Sequence, residues 1–180
     1  MKKSRILSSS VVIVAFILML TISLSNNQES SLQKRTYVFL TENGLSSVQA
    51  CGIMAAIECE SQFDSTATNF DQTSYGLLQW SFQRKDQLEA FAKANGKPMD
   101  DFETQLAFLI EELNPQSEVA TYQLLSSYKG YELSDWLNAK TPEEASRAFC
   151  MLCERPGLVD LEVRDSLAQK FYNEFNDNSN

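Results

Sequence analysis

The most constraining feature of this 180-residue chain is the stretch from Leu45 to Ser61, which is apolar on nearly every side. Val48, Ile53, Met54, Ala56 and Ile57 do not form one stripe with a polar back, so a helix here has no face to leave in water. Gly44-Leu45-Ser46-Ser47 reads as its start and Ser61 as its approximate end. Such a helix needs others around it, and the rest of the chain supplies them. Ser81 precedes a segment carrying Leu88, Phe91 and Ala92, ended by Asn95-Gly96 and Pro98. Asp100 with Glu103 makes a capping-box pattern before Phe102, Leu106, Leu109, Ile110 and Leu113, and Asn114-Pro115 stops that helix. Thr141-Pro142-Glu143-Glu144 combines a cap, a first-turn proline and first-turn acids ahead of Ala145, Ala148, Phe149 and Leu152, with Pro156 closing the run. A last helix spans about 159–175, with Leu161, Ala168, Phe171 and Phe175 on one side. With only 6 Gly and 4 Pro, the expected fold is mainly α. Phe63 to Tyr75, rich in Ser, Thr, Asn and Asp, reads as a loop holding at most a small hairpin.

The N-terminus has a different character. Met-Lys-Lys-Ser-Arg precedes an uncharged stretch with an apolar heart at Val11–Leu20, the layout of an export signal. Ser23-Leu24-Ser25 suits a signal peptidase, yet Ile6–Leu24 also approaches the ~20 residues that span a bilayer. Residues 1–25 are therefore a cleaved signal peptide or a retained membrane anchor. Either places the remainder outside the cytoplasmic membrane, secreted or anchored. Residues 26–37 read as a polar linker, 38–175 as the domain and 176–180 as a disordered tail. An exported chain with four cysteines, Cys51, Cys59, Cys150 and Cys153, favours disulfides over free buried thiols or metal. Cys51 and Cys59 lie about 12 Å apart along one helix at 1.5 Å per residue. Cys150 and Cys153 are one turn apart on another. Any bridge is thus expected to join one cysteine from each set.

Charge and histidine content narrow the chemistry. Lys2, Lys3 and Arg5 sit in the leader, leaving 12 basic against 24 acidic residues in the remainder. No basic stripe is present to neutralise phosphates, so nucleic acid is not an expected partner. The chain has no histidine, which removes Ser-His-Asp hydrolases, Cys-His peptidases and His-ligated zinc sites. Neither a metal nor any other cofactor is called for. Acid–base chemistry then falls to Glu, Asp, Lys, Tyr or Cys in a tuned setting. Glu60, on the face of Ile53, Ala56 and Ile57, is the candidate. A carboxyl beside apolar side chains keeps its proton to higher pH, and glycoside cleavage needs such a donor at the leaving oxygen. Glu58, two residues earlier, points to another side of the helix. The ordinary reading of a glutamate at a helix end is a surface residue.

The surrounding residues change that balance. Glu60-Ser61 followed by Gly76-Leu77-Leu78-Gln79-Trp80 resembles the Glu-Ser and Gly-Leu-x-Gln pairing of goose-type lysozymes and lytic transglycosylases. Gly52-Ile53-Met54, Glu60-Ser61-Gln62-Phe63, Tyr75 to Trp80 with Arg84, Gln105 to Leu109 with Glu111-Glu112-Leu113, Glu154-Arg155-Pro156 and Arg164 resemble the phage-tail lysozyme family more closely, over about residues 38–173. The resemblance implies a lysozyme-like helical domain that cuts the β-1,4 bond between N-acetylmuramic acid and N-acetylglucosamine in peptidoglycan. By the same resemblance Glu60 is the general acid, Ser61 orients it or touches substrate, and Gln79 hydrogen-bonds at the cleft. Trp80 is a wall for a sugar ring or, equally, a core residue. Tyr75 serves substrate or supports the loop. Asp64 and Asp71 are candidates for a second carboxylate that activates water, against the commoner role of loop aspartates as turn formers. The outcome is hydrolysis or a 1,6-anhydro product, with the closer family favouring hydrolysis. Glu154 and Arg164 read as a structural ion pair. Ala55-Ala56 stand where the family usually has Gly-Asn, and Gln62 where it usually has a glycine able to take positive φ. A non-catalytic glycan-binding or envelope-scaffold module that kept the cleft is the alternative function.

Overall fold

A computed structural model describes residues 31–117, 127–155 and 160–176. The expected signal or anchor segment, residues 1–25, lies outside the described residues, as do 177–180 of the expected tail. Among the described residues no helix is long and apolar enough to cross a membrane.

The chain is mainly helical, as the apolar pattern required. Helix α1 covers 31–42, α2 Ser47–Ser61, α3 Phe82–Ala94, α4 Phe102–Leu113, α5 Leu133–Leu137, α6 Pro142–Phe149 and α7 Leu161–Asn176. A π-helical turn, Cys150–Glu154, continues α6. Among the described residues, two minimal antiparallel hairpins accompany the helices. One pairs β1 (Ser74–Tyr75) with β2 (Trp80–Ser81), and the other pairs β3 (Ser127–Tyr128) with β4 (Tyr131–Glu132).

Helix α2 is the axis of the domain. Every residue from Ala50 to Ile57 is buried, and the helix packs chiefly against α6 and α7. Its start is fixed by a reciprocal capping box between Ser46 and Gln49. The Gln49 amide nitrogen also donates to the Trp136 carbonyl, tying α2 to α5. Contact with α6 is close because position 52 is glycine: a Cβ there would lie 2.7 Å from the Ser146 nitrogen. Ala55 and Ala56, the departures from the family pattern, are 0% and 2% exposed and sit within this small-residue packing.

Three boundaries differ from expectation. Residues 31–37 are not a linker but part of α1, because Gln33, Thr36 and Tyr37 turn inward with Leu40. The Thr36 hydroxyl donates to the Leu32 carbonyl, so a polar side chain can be buried there without an orphan donor. Helix α4 is capped by Asp101 rather than Asp100, its carboxylate accepting from the Thr104 N–H. Ser81 precedes α3 without a side-chain capping bond.

The expected disulfide does not form, and all four cysteines are free thiols. On α2, positions 51 and 59 are about 80° apart around the axis at 100° per residue. Cys51 therefore faces inward while Cys59 is exposed. Cys150 and Cys153 are buried too, and burial pushes the Cys51, Cys150 and Cys153 thiols up to about 12, so they pack as small hydrophobes. An aromatic disulfide reagent should accordingly titrate one thiol, Cys59, in the native protein and four after denaturation without reductant. Two native-inaccessible thiols that stay silent in denaturant would restore the bridge.

Candidate active site

Glu60 stands in the last turn of α2, where the buried run of the helix gives way to solvent. Its side chain is 29% exposed. The chain leaves α2 through Gln62, a left-handed cap with φ 53° and ψ 39° whose N–H donates to the Glu58 carbonyl. This is the position where the family usually carries glycine, and the structure supplies the reason. A non-glycine residue in the left-handed region costs about 1–2 kcal/mol. Phe63, also at positive φ, then drops into the core edge-on to Phe171.

The loop from Phe63 to Tyr75 curls back so that the β1–β2 turn meets the end of α2. The Ser61 hydroxyl lies 2.9 Å from the Leu77 carbonyl and 3.2 Å from that of Ile57, donating across the junction. Ser61 thereby holds the hairpin against the glutamate helix. Gln105, fully buried on α4, does the same from the other side. Its Oε1 accepts from the Leu77 N–H, and its amide nitrogen donates to the Ser65 and Met99 carbonyls, each at 2.8 Å. Gly76 (φ +74°) runs against this amide, and a Cβ there would lie 2.5 Å from Gln105 Oε1.

The hairpin carries the remaining candidates. Gln79, at φ 47°, uses its amide nitrogen within the loop, donating to the Ala67 and Gly76 carbonyls. The group it can still present to a ligand is its carbonyl oxygen. Tyr75 is half-buried, and its hydroxyl is pushed above the usual phenol range by burial, then by Asp100 and Asp64. Lys85 lies 6.0 Å from the ring centroid. Trp80 does not fit the role of a sugar-stacking wall. It is 1% exposed, meets Phe108 edge-on, and donates its indole N–H to Glu112 at 2.8 Å. The same buried carboxylate receives two bonds from Arg84, at 2.7 and 2.8 Å. Trp80 is therefore core, locked by a buried ion pair.

Both loop aspartates build turns. Asp64 accepts from the Thr66 N–H and hydroxyl, and Asp71 from the same two groups of Thr73. The Thr73 hydroxyl, then its N–H, hold the Asp71 carboxyl below the usual range. These are the short-range bonds of turn-forming aspartates.

The setting of Glu60 also differs from the apolar one expected. Arg164, in the first turn of α7, donates to Glu60 Oε1 at 2.5 Å and lies 2.9 Å from Glu154 Oε2. The expected Glu154–Arg164 pair is present, but Glu60 is its third member. Sequence reading missed this, although the signal was there. Arg164 precedes Ala168, Phe171 and Phe175 on the inward stripe of α7, and an arginine on a core face needs buried carboxylates.

A partly exposed glutamate at a helix end and a serine clasping a Gly-Leu-Leu-Gln turn thus stand together in a mainly helical shell around one apolar helix. The family model of phage tail lysozymes matches residues 31–175, most of the chain. The chain belongs to the phage tail lysozyme family. This match begins at residue 31, where α1 begins among the described residues, so the helix read as a linker belongs to the lysozyme domain. A search of curated proteins found no match. Lysozyme-like action on peptidoglycan is the activity that this family membership supports.

Proposed function

We propose that this phage tail lysozyme homologue is an exported muramidase that cleaves the β-1,4 bond between N-acetylmuramic acid and N-acetylglucosamine, with Glu60 as general acid. The observation that carries the reading is the placement of Glu60. It sits at the solvent end of an otherwise buried helix, beside the turn that Ser61 and Gln105 hold in place. Cleavage requires a proton at the glycosidic oxygen as an oxocarbenium-like centre forms. A carboxyl on a rigid helix, reached by solvent at its tip, meets the geometric demand. The carbonyl of Gln79 and the hydroxyl of Tyr75 are the groups offered to the sugar's own donors and acceptors. Ser61 acts by positioning, since its hydroxyl proton is engaged by backbone carbonyls.

The turn duties of Asp64 and Asp71 leave the nucleophile to water held by the substrate cleft or to the sugar's own 6-hydroxyl. Hydrolysis is the reading retained from the family likeness. Purified cell walls incubated with the protein should clear, and mass spectrometry of the soluble fragments should show reducing muramyl ends. Products lighter by one water, with 1,6-anhydro ends, would instead establish transglycosylation. Wall binding without soluble fragments would leave a glycan-binding module in place of the enzyme.

A further inference from the structure

We infer that Arg164 and Glu154 are positioning residues of the same site, forming with Glu60 one unit of two carboxylates held on a single guanidinium. The inference rests on Glu60 being the acid. Three separate elements converge to make the unit: the end of α2, the π-turn after α6, and the first turn of α7. Arg164 and Glu154 are only 7% and 9% exposed at their side chains, while Glu60 alone reaches solvent.

The charge balance drives the argument. One guanidinium lies between two carboxylates, leaving a net negative charge in a region where isolated charge is costly. Arg164 stays protonated: burial opposes its charge, but Glu154 and Glu60 outweigh this. Its contact with Glu154 is close in distance yet not that of a directed hydrogen bond, and the other donor beside the Glu154 carboxylate is only the weak one of the Cys150 thiol. A carboxylate short of donors is relieved most directly by a proton. Burial pushes Glu154 up to about 7, with Arg164 opposing and Glu60 adding to the rise.

The other groups facing the unit do not cancel the excess. Cys59 comes from α2, with Glu58 acting on it rather than on the unit, and Cys150 comes from the π-turn. Arg84 comes from α3, but it already makes a two-bond pair with Glu112. Glu60 is the exposed end from which the proton passes to the glycosidic oxygen. Two carboxylates and the guanidinium then remain until water returns a proton. Glu154 thus serves by dividing the Arg164 guanidinium, so that it does not belong to Glu60 alone.

The sign of the pH effect follows. Glu154→Gln removes the counter-carboxylate and gives Arg164 wholly to Glu60, favouring its ionised form. The alkaline limb of the rate profile on cell walls should move to lower pH, with activity above it falling about tenfold for each unit moved. The acid plateau should stay within a few-fold of the parent. A merely structural Glu154 would depress the rate equally at every pH, which would overturn the inference. Carboxyl-carbon NMR of the unsubstituted full chain, with glutamate label, gives a readout independent of that variant's folding. The Glu154 resonance should titrate well above the ordinary carboxylate range, whereas a Glu154 that titrates like a free carboxyl would overturn the inference. Full activity of Glu60→Gln would remove the functional reading beneath the inference. The carboxyl titration needs no substrate and would still decide whether Glu154 holds a proton beside Arg164.

Discussion

Glu60→Gln is expected to abolish at least 10²-fold, and up to about 10⁴-fold, of the cell-wall cleavage rate, the range typical of general acid catalysis. The amide keeps the shape of the side chain and can still accept from Arg164 through its oxygen, so the 2.5 Å contact has a successor. What it cannot do is surrender a proton to the glycosidic oxygen. The substitution also removes one of the two carboxylates around Arg164, which leaves that guanidinium paired with Glu154 alone. Folding should therefore persist, and circular dichroism with a thermal scan would check it. Glu58→Gln is the matched control on the same helix, two positions away and turned to another side of its axis. A rate within a few-fold of the parent is expected there. A folded Glu60→Gln protein with full activity would remove the muramidase reading; equal losses in both variants would mean that the wrong face of α2 was chosen.

How much of this was legible before the structure depends on whether the signal was local. Helix α2 was, because a run with no polar face has one solution, and the Ser46–Gln49 cap confirms where it starts. Helix α6 was as well: Thr141, Pro142 and Glu144 each act at the helix start, and the Thr141–Glu144 capping box forms. Residues 31–37 were misread because two of the inward positions, Gln33 and Thr36, carry polar side chains, so the spacing of 33, 36, 37 and 40 does not read as an apolar stripe. The β3–β4 hairpin and α5 have two-residue strands and a five-residue helix, too short for any periodicity to register. Cysteine pairing was inferred from compartment, which says nothing about direction, and α2 turns Cys51 and Cys59 to different sides.

The candidate site divides along the same line. Glu60, Ser61 and the Gly76–Trp80 turn stood out through the family likeness, yet their environments did not. Arg84, Gln105, Glu112, Glu154 and Arg164 were visible only as parts of that likeness. In the structure each is one end of a long-range polar link: Arg84 with Glu112, Gln105 with Leu77, Arg164 with Glu60 and Glu154. Such links join positions 10 to 104 residues apart, and apart from the inward stripe of α7 that carries Arg164 no periodicity betrays them. The apolar setting expected for Glu60 was wrong in the same way, since the charge that matters arrives from α7.

Glu112→Ala should produce the largest stability loss of any single polar substitution in the domain. The Glu112 side chain is fully buried and gathers three donors, two from Arg84 and one from the Trp80 indole. Truncation strands a guanidinium that is only 16% exposed together with a buried indole N–H. Breaking a buried pair from one side costs about 3–5 kcal/mol, because the remaining charge stays buried without compensation. For a domain of this size each kcal/mol lowers Tm by about 2–4 °C, so a fall on the order of 6–20 °C is expected in calorimetry. Burial alone does not make the pair stabilising against every alternative, and a second variant separates the two ideas. Arg84→Met with Glu112→Leu removes both charges and fills their volume, leaving only the indole N–H without a partner. The double variant should recover most of the loss, down to the about 1–3 kcal/mol of one unsatisfied donor. If it were as unstable as Glu112→Ala, the stranded charge would not be the cause. The cost would then lie in the shape that Glu112 gives the contact between α4, the β1–β2 hairpin and α3.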